Sequence, residues 1–219
     1  MKYLIILLTA CAICMGCKKN RTVIAKGKVI NPVTGEGQEG FEVRILKNTT
    51  GSLGTTGGVE EVVETFTDAN GNFEIQHTGS GTYQLSCNLP VDNYPIGWYQ
   101  NGEKVNSSTV RMSVPKGEET YAEYHSVPNC DYNLQINNVN CFDANDEIKL
   151  KAQTEVNSVS PNAPFLIQNG CESINYGLSE YPMGKVYYYY EVTKNGSTTI
   201  HYDTLEVSCN GVSTHVIEY

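Results

Sequence analysis

His215-Val216-Ile217-Glu218 carries the H-x-x-E wording with which an imidazole and a carboxylate hold zinc. In a strand that spacing defeats the chemistry, because residues an odd number apart point to opposite faces. No downstream third ligand follows in the sequence. Two further groups place oxygen ligands at calcium-like spacing: Asp68-x-Asn70-Gly71, and Asp143-x-Asn145-Asp146-Glu147. Neither continues to the bidentate Glu of a full loop. Turn chemistry accounts for the first. The second packs three carboxylates that repel one another unless solvated or given a cation, so Asp143, Asn145 and Asp146 are the calcium candidate; no other metal and no cofactor are expected. A nucleophile elbow, a phosphate-binding loop, a dinucleotide fingerprint and a C-x-x-C pair are all missing from the sequence. With His77, His125 and His201 also in predicted strands or at their ends, no catalytic residue is assigned and the chain is expected not to be an enzyme.

Aromatic side chains are the other chemical resource. Tyr94-Pro95-Ile96-Gly97-Trp98-Tyr99 reads as a loop, and flat rings with polar edges stack on sugars or on partner side chains. Tyr94, Trp98 and Tyr99 are therefore the candidate ligand platform, with Trp98 plugging one end of a sandwich as the competing expectation. Tyr187 to Tyr190 are four consecutive rings on a strand, two on each face, one pair for the core and one for a surface.

Short alternating segments between turn residues must position these groups, and no helical periodicity appears after Cys17. Strands are predicted at 23–30, 41–46, 60–67, 72–77, 82–87, 109–114 and 121–127, with 60–67 and 72–77 paired as a hairpin across Asp68 to Gly71. A boundary follows at Pro128-Asn129. The second half predicts 132–136, then 187–193, 198–207 and 212–219 joined as hairpins at Asn195-Gly196 and Asn210-Gly211. The fold class is all-β: two Ig-like or transthyretin-like antiparallel β-sandwich domains, 22–127 and 128–219.

The chain opens with Lys2 and an apolar run from Tyr3 to Met15, about 13 residues, too short to span a bilayer core and followed by Cys17-Lys18-Lys19. That is a signal peptide, residues 1–16. Met15-Gly16-Cys17 resembles the lipobox of bacterial lipoproteins, which makes Cys17 the lipidation site and 17–21 a tether. Leu8-Thr9-Ala10-Cys11 fits the lipobox wording better, but cleavage there leaves an apolar core of only about six residues, so Cys11 is the alternative. The membrane is thus a partner through the N-terminal lipid. The formal net charge of −9 with dispersed acidic residues excludes nucleic acid. Five cysteines follow the anchor, an odd number that leaves at least one unpaired. Cys130 and Cys141 flank one predicted strand of about 36 Å, too far to bridge. Free buried thiols are the default expectation, and Cys141–Cys171 is the preferred bridge if one forms.

Gly27-Lys28-Val29, Gly40-Phe41-Glu42-Val43, Thr67-Asp68-Ala69-Asn70-Gly71-Asn72-Phe73 and Gly81-Thr82-Tyr83-Gln84-Leu85 occur in that order. They resemble the carboxypeptidase regulatory-like, transthyretin-like sandwich domain over about residues 22–127. The resemblance implies an accessory module without catalytic residues. The whole layout is similar to outer-membrane lipoproteins of the Bacteroidota, and Asp203-Thr204-Leu205 resembles their O-glycosylation acceptor, with Thr204 modified. The expected role is structural, adhesive or protein-contacting; the alternative is a glycan- or peptide-binding accessory protein of an uptake system.

Overall fold

A computed structural model describes residues 21–50, 57–105, 110–156 and 163–219. The signal peptide, Cys11 and Cys17 lie outside the described residues. Fifteen strands are described, and no helix among these residues is long and apolar enough to cross a membrane.

The first half holds β1 (Arg21–Ile30), β2 (Glu42–Asn48), β3 (Val59–Phe66), β4 (Asn72–Gly79), β5 (Tyr83–Asn88), β6 (Asn93–Gln100), β7 (Glu103–Lys104) and β8 (Arg111–Val114). β9 (Glu119–Asn137) is nineteen residues long and is shared by both halves. Then come β10 (Glu147–Thr154), β11 (Leu166–Asn169), β12 (Ile174–Pro182), β13 (Gly184–Lys194), β14 (Ser197–Val207) and β15 (Ser213–Glu218). One sandwich packs β4-β1-β9-β6-β7 on β3-β2-β5-β8; the other packs β12 and β15, which flank the far half of β9, on β11-β10-β13-β14. Pairing is antiparallel except that β1 and β15 each run parallel to β9.

Alternation builds both cores. β1 buries Val23, Ala25 and Val29 and leaves the intervening residues half-exposed, so one face packs and the other meets water. Its Gly27 is required by close approach: a Cβ there would lie 1.7 Å from the Ala122 carbonyl oxygen and 2.9 Å from the Phe73 ring. That contact gives the G-x-V wording its physical reason. The first core runs from Val23 to Tyr124, around Trp98, Phe73 and Tyr124; the second runs from Cys130 to Tyr219, around Ile136, Ile148 and Tyr188.

The chain passes between the two cores inside β9, where Pro128 and Asn129 were expected to end the strand. Proline is tolerated because its missing N–H faces a gap. β1 ends opposite His125, β12 ends opposite Asn129 on the same side, and the Gln38 amide donates to the Ser126 carbonyl between them. Two other local expectations are also overturned. The turn from Asp68 to Gly71 does not close a hairpin: β3 pairs with β2, and β4 pairs with β1 in the opposite sheet. The Asp68 carboxylate accepts from the Asn70 and Asn72 amides, and the Gly71 carbonyl accepts from Val29, so the turn docks on β1 as a crossover. Asn210-Gly211 likewise carries the chain across the sandwich to β9. Asn195-Gly196 does close a two-residue hairpin, both residues having positive φ, 48° and 69°.

Candidate functional site

The structure separates the H-x-x-E pair. His215 is buried and Glu218 exposed, on opposite faces of β15. The His215 ring stacks on Tyr188 at 4.1 Å, and its Nε2 lies 3.6 Å from an Asp203 carboxylate oxygen. Burial holds this imidazole below its usual pKa, with Asp203 opposing the shift. Among the described residues, no three His, Cys, Asp or Glu side chains group to hold a metal.

The calcium expectation for Asp143, Asn145 and Asp146 is corrected by what those carboxylates bind. Asp146 is fully buried, and its Oδ2 accepts from the Asn138 amide at 3.0 Å and the Phe142 N–H at 2.8 Å. The Lys194 ammonium lies 3.9 Å away. Asp143 Oδ1 accepts from the Asn145 N–H. The donors to Asp146 meet Oδ2, while its Oδ1 is buried without a hydrogen-bond partner, and the Asn138 hydrogen bond, followed by the backbone donors and Lys194, holds the Asp146 carboxyl below the usual range. Beside this loop the structure joins Cys141 to Cys171, Cα atoms 5.2 Å apart, and it also joins Cys130 to Cys209, which the sequence did not reveal. Cys87 remains free and buried in the first core, where desolvation pushes its thiol up to about 12.

The ligand platform expected at Tyr94, Trp98 and Tyr99 does not form. These residues belong to β6, paired with β9, and Trp98 is 0% exposed. Its ring meets Phe73 and Tyr124 edge-on, and its Nε1 donates to the Val110 carbonyl at 3.3 Å. Tyr99 is half-buried and stacks on His125, 4.0 Å between centroids, at one wall of a cleft of about 420 Å³. Val33, Glu155, Lys185 and Glu206 form other walls of that cleft, at the junction of the two sandwiches.

The exposed aromatic surface lies elsewhere. Along β13 Tyr188 faces the second core and Tyr187 the outer side, so the tyrosine run divides between the two faces. On the outer side a row crosses the sheet perpendicular to its strands. Phe165 sits under the Lys151 ammonium, 4.3 Å from the ring centre; Phe165 and Tyr189 are 6.2 Å apart; Tyr189 and Tyr202 are 5.5 Å apart. The row ends on Tyr202, 78% exposed, on edge strand β14. Ile200, Tyr187 and Thr204 lie exposed around it. Sequence reading placed the tyrosine pair but missed Phe165 and Tyr202. The available signal was β14 itself, where large apolar residues fall on both parities, Ile200 and Tyr202 on one and Leu205 and Val207 on the other.

Fold and surface together define a tandem β-sandwich protein with an exposed aromatic sheet face. No family model matches the chain, and no curated protein matches it. Among solved structures it is similar to the shaft pilin SpaA from Lactobacillus rhamnosus GG at 9% identity, covering 91% of this chain and 97% of that one, TM-score 0.30. It is also similar to a streptococcal ancillary pilin (11%, 90% and 62%, 0.33) and to GBS52, the minor pilin of Streptococcus agalactiae (11%, 90% and 94%, 0.31). At these values the likenesses carry no argument about role or partner.

Proposed function

We propose that this chain is a non-catalytic protein of the bacterial outer membrane, similar to Bacteroidota envelope lipoproteins, held by lipid on Cys17 and making protein contacts through the outer face of its second sandwich. The observation that carries the reading is β9. Its nineteen residues extend roughly 60 Å. Ile24, a few residues after the tether, lies opposite Glu119 at one end of this strand, while the second sandwich and its aromatic row stand along the other. An anchor at one end and an exposed apolar row toward the other suit a protein that presents a contact surface away from its membrane.

Ring geometry favours protein over sugar. Successive rings in the row are tilted by 50° and 59°, so they offer no flat platform for a pyranose, whereas tilted rings with gaps between them accept interdigitating side chains. The glycan-binding alternative drew on Trp98, which is in the core.

The anchored half of the proposal is tested by fractionating cells. Cys17→Ala is expected to release the chain from the membrane fraction and Cys11→Ala to leave it there; the reverse pattern moves the lipid to Cys11. The contact half is tested by a photo-reactive residue in place of Tyr202, expected to form protein adducts in cells.

A further inference from the structure

We propose that the partner at this surface is a second copy of the chain, whose β14 pairs antiparallel with β14 about a two-fold axis at Tyr202. The inference rests on the contact reading above and adds the identity of the partner.

β14 is a free edge of unusual length. It has eleven residues, pairs with β13 without a register shift and has no strand on its other side among the described residues. Other edges are shortened, closed or broken. β7, β8, β11 and β15 have two, four, four and six residues, β12 is bulged between Asn175 and Leu178, β3 carries Glu60, Glu61 and Glu64, and β4 packs beside β3. Ser197-Thr-Thr-Ile-His-Tyr-Asp-Thr-Leu-Glu-Val207 contains neither proline nor lysine and is rich in β-branched and aromatic residues.

Hairpin geometry says which groups face that edge. Lys194 and Ser197 flank the two-residue turn and form the hydrogen-bonded pair nearest it, so Tyr190 with His201 and Tyr188 with Asp203 are bonded pairs too. The N–H and C=O groups of Ile200, Tyr202 and Thr204 therefore point outward. The Thr204 N–H is met by Asp203 Oδ1 at 2.7 Å, a side chain occupying the place a strand would take.

A two-fold axis at Tyr202 uses these groups in the right parity. Tyr202 bonds its own equivalent, and Ile200 bonds the second copy's Thr204. His201 falls opposite the second copy's Asp203 in the closely spaced non-bonded pair, twice by symmetry. Asp203 then exchanges the Thr204 N–H for an imidazole. Neighbouring registers that use the same outward groups lose this match: centring on His201 sets His201 against itself and Asp203 against Thr199, centring on Asp203 sets two carboxylates face to face, and centring on Ile200 or Thr204 sets Asp203 against Ser197 or Leu205. The Tyr202 register also continues the aromatic row from Phe165 through Tyr189 and Tyr202 into the second copy. Charge and ring complementarity thus select one register and one occupant.

Oxidation of cells carrying Tyr202→Cys tests the register, since the paired Cα atoms would be about 5.5 Å apart, within disulfide reach. A 202–202 disulfide, mapped by mass spectrometry, is expected. Thr204→Cys is expected to give none, its equivalents being offset by roughly 13 Å along the strands. His201→Asp added to Tyr202→Cys is expected to cut the link at least tenfold by facing two carboxylates. All three positions are exposed, so folding is preserved. Equal linkage at 202 and 204, linkage indifferent to His201→Asp, or no linkage at 202 overturns the proposal. Adducts from a photo-reactive residue at 202 to a different protein, without a 202–202 link, overturn the second copy and leave the contact reading intact.

Discussion

Replacing Trp98 with alanine is expected to destabilise the first sandwich by about 3–5 kcal/mol, the range for emptying a buried aromatic site. The ring is completely enclosed and supports Phe73 and Tyr124 edge-on, at 6.1 and 4.9 Å. Its loss also frees the Val110 carbonyl from the Nε1 donor. Denaturant unfolding followed by circular dichroism reads the effect, and Trp98→Phe, which keeps most of the packing, is expected to cost less. Trp98 is the only tryptophan, so emission of the unsubstituted chain reports its surroundings directly. It should be blue and unaffected by iodide; red, quenchable emission would place the ring in water and remove the basis for the expected loss.

Removing the Cys130–Cys209 bridge is expected to cost about 4.5 kcal/mol by loop-closure entropy, and removing Cys141–Cys171 about 3.7 kcal/mol. The difference follows from sequence separation, 79 residues against 30. Cys130 lies on β9 just past the crossing between cores, and Cys209 lies between β14 and β15, so the longer bridge fastens the last crossover to the shared strand. The double substitution Cys130→Ala with Cys209→Ala should lower the unfolding midpoint more than Cys141→Ala with Cys171→Ala. The opposite order, or no change on removing the longer bridge, would show that the unfolded chain is not constrained as the connectivity requires. Both bridges persist in an oxidising compartment.

Strands were legible where alternation was clean. β1, β2, β13 and β14 follow from residues that alternate between core and solvent or from the Asn195-Gly196 turn, and the all-β class follows from them. Partners were less legible, because an Asx turn closes a hairpin and starts a crossover with the same residues. Asp68 to Gly71 reads alike in both cases, and the choice is made by the Gly71 carbonyl docking on Val29, a contact 42 positions back along the chain. The course of β9 was hidden because Pro128 marks a break by local rules, and only the gap between β1 and β12 makes it harmless. Tyr94 to Tyr99 read as a loop through Pro95 and Gly97, yet the β6–β9 register shifts between those two residues and the strand continues. Trp98 was for the same reason read either as part of an exposed platform or as a plug at one end of the sandwich, and its burial agrees with the second. The aromatic row joins Phe165, Tyr189 and Tyr202 from three separate segments, so nothing in one stretch of sequence announces it.

The measurement that bears most directly on the contact role is photo-cross-linking in intact cells from position 202, with exposed Tyr121 of the first sandwich as the comparison site. Adducts of discrete mass from 202 and none from 121 are expected. Adducts from both positions alike, or from neither, would contradict a contact surface on the second sandwich.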